Sequence, residues 1–312
     1  MTHTAAAIRS EPGVTRDVTS PVAEDGPRHG LSGTRFFWAC VLSAVGIATA
    51  FAAWSDIFNL ASRDEEASHI FLVPFVVVWL VWVRQKRLRV ATPTNNWVGT
   101  VLVALGWMAL YFGEVRLWQS VWHLGAILIA VGCFVSVMGF PVVRLFLPAF
   151  VVLVFLIPVP GRVRQQIAIP MQNATAQLTE GICEVVGIPL TRSGNLLTIN
   201  GNDIAIAEAC NGLRMVFALG LVCYAFAFGN PLRLYARILI LVATPIAAIV
   251  CNVVRLVPTV YLYGYHPAEV ADKFHDISGW VMIFVAFLAL MGILRLLKWA
   301  MIPIYKFNLA YD

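Results

Sequence analysis

The stretch Tyr235–Val260, YARILILVATPIAAIVCNVVRLVPTV, decides the fold. It exceeds the ~20 residues that cross a bilayer, and almost every position in it is apolar. It reads as a membrane-crossing helix, and one residue resists that reading. Arg255 stands among Val253, Val254, Leu256 and Val257, near the end of the run. An unpaired cation in lipid is expensive, so its guanidinium must face a partner, a cavity or the interface. Snorkelling to the headgroups is the plain alternative. Asn252, three residues earlier, shares its helical face.

The rest of the chain agrees with a membrane protein. Of 312 residues, 60% are hydrophobic and only 12% charged, with a mean hydropathy of +0.79. A soluble domain carries about 25% charged residues. The expected class is therefore an all-α polytopic membrane protein with about eight transmembrane helices. Apolar runs place them near 36–55, 69–83, 97–113, 118–139, 142–157, 207–228, 235–260 and 276–298. Residues 1–35 are polar, with Pro12, Pro21 and Pro27, and read as a disordered tail with no signal peptide. The remainder divides into a transmembrane unit over 36–298 and a short tail over 299–312. The net charge of +5 bears on orientation. No basic patch with interleaved aromatics points to nucleic acid.

Charge alternates between successive connections. Arg9, Arg16, Arg28 and Arg35 precede the first run, and Arg84, Lys86, Arg87 and Arg89 follow the second. Arg144, Arg233, Arg237, Arg295, Lys298 and Lys306 continue that side. Asp64, Glu65, Glu66, Glu114, Glu180, Glu184, Asp203, Glu269 and Asp272 fall on the other. The positive-inside rule then puts both termini in the cytoplasm and the 158–206 connection outside.

Pro158-Val159-Pro160-Gly161 stops the fifth run. From Arg162 to Val186, apolar residues recur at helical spacing opposite Arg164, Gln165, Gln172 and Glu180. This reads as an amphipathic helix, lying in the interface or capping the bundle. Ser193-Gly194-Asn195 and Asn200-Gly201 are turn signals between β-rich flanks, so a small hairpin or meander follows. It either holds an extended peptide by strand addition or lids the bundle.

The meander leads into Glu208-Ala209-Cys210-Asn211-Gly212-Leu213-Arg214. Cys40, Cys133, Cys223 and Cys251 sit in apolar runs and read as small buried hydrophobes, and Cys183 falls in a polar stretch. Only Cys210 has polar company, at the mouth of a helix whose end amides favour a thiolate. Arg214 is one turn on, suited to support that thiolate or to bind a carboxylate. No Cys/His spacing suggests a metal, and no cofactor is expected. His275 opens the last run and can move a proton, with Asp276 either orienting it or capping the helix. His69 opens the second run, either near the site or as an interfacial anchor; His123 has no polar context and reads as structural. By sidedness, Cys210, Arg255 and His275 share the outer face. A thiol, a guanidinium and an imidazole there suit attack on a peptide carbonyl.

Several short motifs occur in order. They are Ser68-His69 with Pro74, Phe155-Leu156-Ile157-Pro158-Val159-Pro160, Pro170-Met171-Gln172, and the Glu208–Arg214 segment. Asn252-Val253-Val254-Arg255 and Phe274-His275-Asp276-Ile277-Ser278-Gly279-Trp280 complete the set. In order, spacing and placement the chain resembles the exosortase/archaeosortase family of membrane transpeptidases, over roughly residues 60–295. Asn211 stands where family members often carry Ser. The resemblance implies Cys210 as nucleophile with Arg255 and His275 as its partners. Glu208, Asn211, Arg214, Asn252, Asp276 and His69 are the further candidates, expected to bind substrate or to support those three. It also implies the partners: exported proteins whose C-terminus carries a short motif such as Pro-Glu-Pro, a membrane helix and a basic tail, met in the lipids of the bacterial inner membrane. Arg162, Arg164, Arg192 and Arg214 are candidates to read the acidic residue of that motif. A transporter or channel, or a non-catalytic envelope scaffold, are the rival readings. Arg255 and mid-helix prolines such as Pro245 suit a transporter, whereas no internal repeat supports one.

Overall fold

The computed structural model describes residues 33–89, 97–205 and 212–299. The chain opens with α1 (Gly33–Thr49) and α2 (Phe51–Arg63). A 3-10 turn, Glu65–Leu72, runs into α3 (Val73–Val83). Then come α4 (Trp97–Val115), α5 (Gln119–Met138), α6 (Phe140–Leu145) and α7 (Leu147–Val151). The last continues as a 3-10 segment to Leu156 and is followed by α8 (Gly161–Val186). Three strands lead to α9 (Gly212–Gly229), α10 (Leu234–Tyr265) and α11 (Ala268–Trp299).

Five stretches are long and apolar enough to cross a membrane: Glu66–Val83, α4, α5, α10 and α11. The number rises to seven if each of two bent pairs counts as one crossing. The expected figure of about eight is corrected for identifiable reasons. The run 36–55 is not one rod: α1 and α2 meet at 81°, and Ala50 between them leaves helical geometry at φ −105°, ψ 25°. Beyond the bend, α2 carries Ser55, Asp56, Asn59 and Ser62, while Ala53, Ile57 and Ala61 face the core at four-residue spacing. It is a one-faced helix, not an all-round apolar one. The run 142–157 is broken at Phe146, φ −113° and ψ 22°, and by Pro148 in the first turn of the next short helix, while Gly139, at φ 86°, separates it from α5. The 3-10 end of that run meets α8 at 91°. Of the run 207–228 the described part is α9, in which the apolar stretch Leu213–Gly229 is shorter than a full crossing; residues 207–211 fall outside the described residues.

Helices α4 and α5 pack backbone to backbone. A Cβ on Gly99 would lie 2.3 Å from Ser136 N, one on Gly113 2.5 Å from Trp122 N, and one on Gly125 2.6 Å from Leu110 N. Gly106 faces the Gly125 carbonyl and Gly132 faces Val103 in the same way. The glycines recur every seven residues, at 99, 106 and 113 and again at 125 and 132, so two smooth faces meet. Close approach of small residues is how membrane helices gain packing energy without a solvent-driven term. The pair is fastened to α2 by polar groups: Asp56 Oδ2 accepts from Gln119 Nε2 at 2.8 Å and bonds His123 Nε2 at 2.9 Å. His123 is fully buried, so the expectation that it lacks polar context is corrected, while its structural role fits. Its partner lies 67 positions away in sequence, and only the fold brings it near.

This N-terminal group meets a three-helix group, α9–α11, along α3 and α9. A Cβ on Gly229 would lie 1.9 Å from the Trp79 ring, and the Tyr224 hydroxyl donates to the Pro148 carbonyl at 2.9 Å. Met215, Leu219, Cys223, Ile240, Ala248, Ala286 and Leu290 form the core of the three-helix group.

The outer connection follows the sequence reading. Helix α8 spans Gly161–Val186 and ends on Gly187, at φ 81°. Strands β1 (Thr191–Ser193), β2 (Leu196–Ile199) and β3 (Asn202–Ala205) form an antiparallel meander in sequence order. Ser193 pairs with Leu196 across Gly194-Asn195, and Ile199 with Asn202 across Asn200-Gly201. Both Asn200 and Gly201 take positive φ, at 50° and 80°, as a two-residue turn of mirror-image type requires. Leu197, Ile199 and Ile204 pack on Ala176 of α8 and on Leu256 and Val260 of α10. Asn200 and Asn202 donate to the Gly264 and Tyr263 carbonyls at 3.1 and 2.9 Å. The meander therefore lies on the end of α10. Cys183 is buried in α8, not set in a polar loop, and Cys40 is exposed, not buried.

Replacing Gly106 by Leu should force α4 and α5 apart and cost about 1–3 kcal/mol. Gly292→Leu is the control, because nothing lies within 4 Å of a Cβ there. Thermal unfolding in detergent should show the first variant melting well below the wild type and the second unchanged.

Candidate active site

Arg255 lies deep within α10, ten residues before its end, rather than at a helix terminus. Its side chain is only 7% exposed, so it does not snorkel to the interface. It lines a cavity of about 280 Å³ together with Arg214 and Met215 of α9 and His275, Asp276, Gly279, Trp280 and Ile283 of α11. Three helices thus supply the walls. Room for the guanidinium comes from Gly279: a Cβ there would lie 2.8 Å from Arg255 Nη1. Arg255 Nε has no hydrogen-bond partner among the described residues. Thr259 Oγ1 donates to the Arg255 backbone carbonyl at 2.8 Å, one helical turn back.

His275 sits two turns inside α11, which begins at Ala268. It does not open the helix, and Asp276 beside it is not an N-cap, so the capping alternative is corrected. Ser278 Oγ donates to the His275 carbonyl at 3.1 Å. His275, Gly279 and Ile283 follow one another at four-residue spacing and so share one stripe. Arg214 lies over the Trp280 ring, its Cζ 4.6 Å from the centroid. A planar guanidinium on an indole face is held in orientation by that contact. Among the described residues that line the cavity, two guanidiniums stand against one carboxylate. The cavity suits a group that carries or develops negative charge, with an imidazole in the same wall able to give or take a proton.

The other expected residues lie elsewhere. Asn252 is buried, but it is not among the lining residues of this cavity, and its Oδ1 has no partner among the described residues. His69 is buried, stacked on Phe217 of α9 with ring centroids 5.0 Å apart, and its Nδ1 bonds the Glu66 carbonyl at 3.0 Å. It lines a second cavity, of about 510 Å³, with Asp64, Glu66, Trp118, Pro158 and Arg164. It is therefore neither an interfacial anchor nor a wall of the Arg255 cavity. The two cavities flank the first turns of α9, Phe217 facing one and Arg214 the other. Glu208, Cys210 and Asn211 fall outside the described residues.

Comparison with known proteins settles the family. The family described as transmembrane exosortase (Exosortase_EpsH) matches residues 54–292. The chain belongs to the transmembrane exosortase family. No curated protein and no solved structure matches it. At the level of the family, this makes the protein a membrane-embedded transpeptidase concerned with protein sorting. The matched region contains every residue that lines either cavity.

Within this exosortase fold, Arg164 and Arg192, two of the four candidates to read an acidic motif, are paired with carboxylates. Arg164 Nη1 pairs with Asp64 at 2.6 Å and with Glu66 at 3.1 Å. Arg192 Nε pairs with Glu180 at 2.6 Å. Of the four, Arg214 alone lines the cavity that holds Arg255. Sequence reasoning gave no role to Trp280 or Gly279, although their spacing from Asp276 and His275, four residues in each case, was available to it.

Gly279→Ala should displace the Arg255 guanidinium without unfolding the helix, because the contact is with the far end of a flexible side chain. Transpeptidation should fall roughly 10- to 100-fold, as expected when a group near the reacting centre moves by about 1 Å. Helical content and melting temperature should stay near wild type; a variant with full activity removes the guanidinium's position from the requirements of the site.

Proposed function

We propose that this protein is a cysteine transpeptidase of the inner membrane. In this reading it cleaves the C-terminal sorting signal of exported proteins at the extracytoplasmic face. The observation that carries it is the convergence of Arg255 and His275, twenty residues apart and on different helices, on one cavity with Arg214. Cys210 precedes Gly212 of α9 by two residues and Arg214 by four. At ~3.5 Å per residue, chain length alone keeps it within reach of that end of α9.

The Cys210 thiolate attacks the scissile carbonyl carbon, forming a C–S bond and an oxyanion. Arg255 donates to the oxyanion from a largely buried position, its Nε having no hydrogen-bond partner among the described residues. As the tetrahedral centre collapses, the C–N bond breaks and His275 protonates the departing amine. A thioester of the substrate remains on Cys210. An amine or hydroxyl of an envelope component, or water, then attacks; His275 takes its proton and the thiolate leaves. Arg214, held on Trp280, reads an acidic residue of the motif. Glu208, Asn211, Asn252 and Asp276 support these groups, and His69 fixes the start of α9 through Phe217. The substrate's membrane helix approaches within the bilayer, with its basic tail on the cytoplasmic side. Both termini of the enzyme lie on that side, as the charge asymmetry favours.

Co-expression with an exported reporter bearing a Pro-Glu-Pro-type signal tests this. Wild type should trim the reporter, Cys210→Ala and Cys210→Ser should not, and Arg255→Ala should lose roughly 10²–10³-fold in rate. The mass of the new C-terminus separates transfer from hydrolysis. If Cys210→Ala trims as fast as wild type, the thiol is not the nucleophile. A transporter or scaffold would tolerate Cys210→Ser.

A further inference from the structure

The described carboxylates all lie in the outer half of the fold. At the opposite ends of α3, α9 and α10, the described ionisable side chains are cations, among them Arg84, Arg87 and Arg237. Three of these guanidiniums gather where α3, α9 and α10 meet. Arg84 Nη2 donates to the Phe228 carbonyl at the end of α9. Arg237 stacks on the same residue, its Cζ 5.2 Å from the Phe228 ring centroid. Arg87 Nη1 reaches the Leu145 carbonyl at 3.4 Å. Burial pulls the Arg84 pKa below its usual value, and the neighbouring charges of Arg87 and Arg237 lower it further, so the three feel one another.

Their donors are far from satisfied. Each guanidinium carries five N–H groups. Among the described residues their hydrogen bonds run to backbone carbonyls alone, at 3.4 Å for the Arg237 Nη2–Asn230 contact and 3.5 Å for Arg84 Nη1–Leu80. Arg237 Nε is buried with no partner among those residues. No described carboxylate pairs with any of the three. Arginines held together by carbonyls, without a counter-ion, at a membrane-facing helix junction have the charge and the fork geometry for a phosphate.

We propose that Arg84, Arg87 and Arg237 bind the phosphate of an anionic phospholipid headgroup, at the end of the bundle opposite the Arg255 cavity. The lipid supplies the counter-charge that the described residues lack there. It ties α3 to the α9–α10 connection, and its acyl chains lie along the apolar helix surfaces below.

Native mass spectrometry of the full-length protein released from detergent, after incubation with phosphatidylglycerol or phosphatidylcholine, tests the proposal. Wild type should retain phosphatidylglycerol at least about tenfold over phosphatidylcholine. Arg87→Gln/Arg237→Gln, which spares the Arg84 contact with α9, should abolish most of that preference, with an unchanged circular-dichroism spectrum. Lys86→Gln/Arg295→Gln removes the same charge from the same end and should keep it. Equal loss in both double variants would reduce the effect to diffuse surface charge and overturn the site. Displacement of phosphatidylglycerol by millimolar inorganic phosphate would identify a soluble anion, not a lipid, as the occupant. Equal retention of the two lipids by wild type refutes it outright.

Discussion

A guanidinium buried within a membrane-crossing helix is the constraint around which the C-terminal half is built. Placing an arginine at the centre of a lipid-facing helix costs roughly 2.5–3.5 kcal/mol on insertion scales. The fold removes Arg255 from lipid by packing α9 and α11 against α10 and by leaving space at Gly279. Burial alone would strand the charge. The cavity keeps it beside Asp276 and His275, and the meander and α8 cover the adjoining end of α10 through Leu256 and Val260. The cation thereby sits in a partly enclosed site, where its field is less screened than at an open surface.

The two ends of the molecule handle charge differently. At one end, carboxylates meet cations: Arg164 bridges Asp64 and Glu66, and Arg192 holds Glu180. Exposed pairs of this kind contribute about 0–1 kcal/mol each. Their value here is positional, since they join α8 to the Glu65–Leu72 turn and to β1. At the other end, the described cations lean on carbonyls and aromatic rings.

Regular features of the sequence translated directly into structure. Helix α8 followed from apolar spacing, the meander from Ser-Gly-Asn and Asn-Gly, and the five long apolar stretches from hydropathy. What hydropathy did not carry was straightness. The bend at Ala50 has no proline to announce it, and α2 shows itself only through the polar face of Asp56 and Asn59. Arg255 and His275 were expected to share a face, and both line one cavity. Their depth was misjudged because α10 and α11 extend well past the apolar runs: the helix does not stop where lipid does. Neither the Asp56–His123 pair nor the Arg164 bridge was foreseen, because each joins residues 67 or more positions apart with no local periodicity to report them. Glu208, Cys210 and Asn211 rest on the motif and on the family alone.

The glycine seam between α4 and α5 bears on how such a protein is made. The two helices are joined by a turn of three residues, Arg116–Trp118, with Leu117 in left-handed geometry at φ 56°. Their mutual surface is complete without any later segment. A nascent chain that has reached Met138 therefore already holds everything the hairpin needs to close, and the pair can leave the translocon as a finished unit. The α9–α11 group differs, because His275, Asp276, Gly279, Trp280 and Ile283 of α11 supply most of its cavity wall, so that wall is complete only when α11 arrives. Synthesis of this group thus finishes against a partner that is already in place.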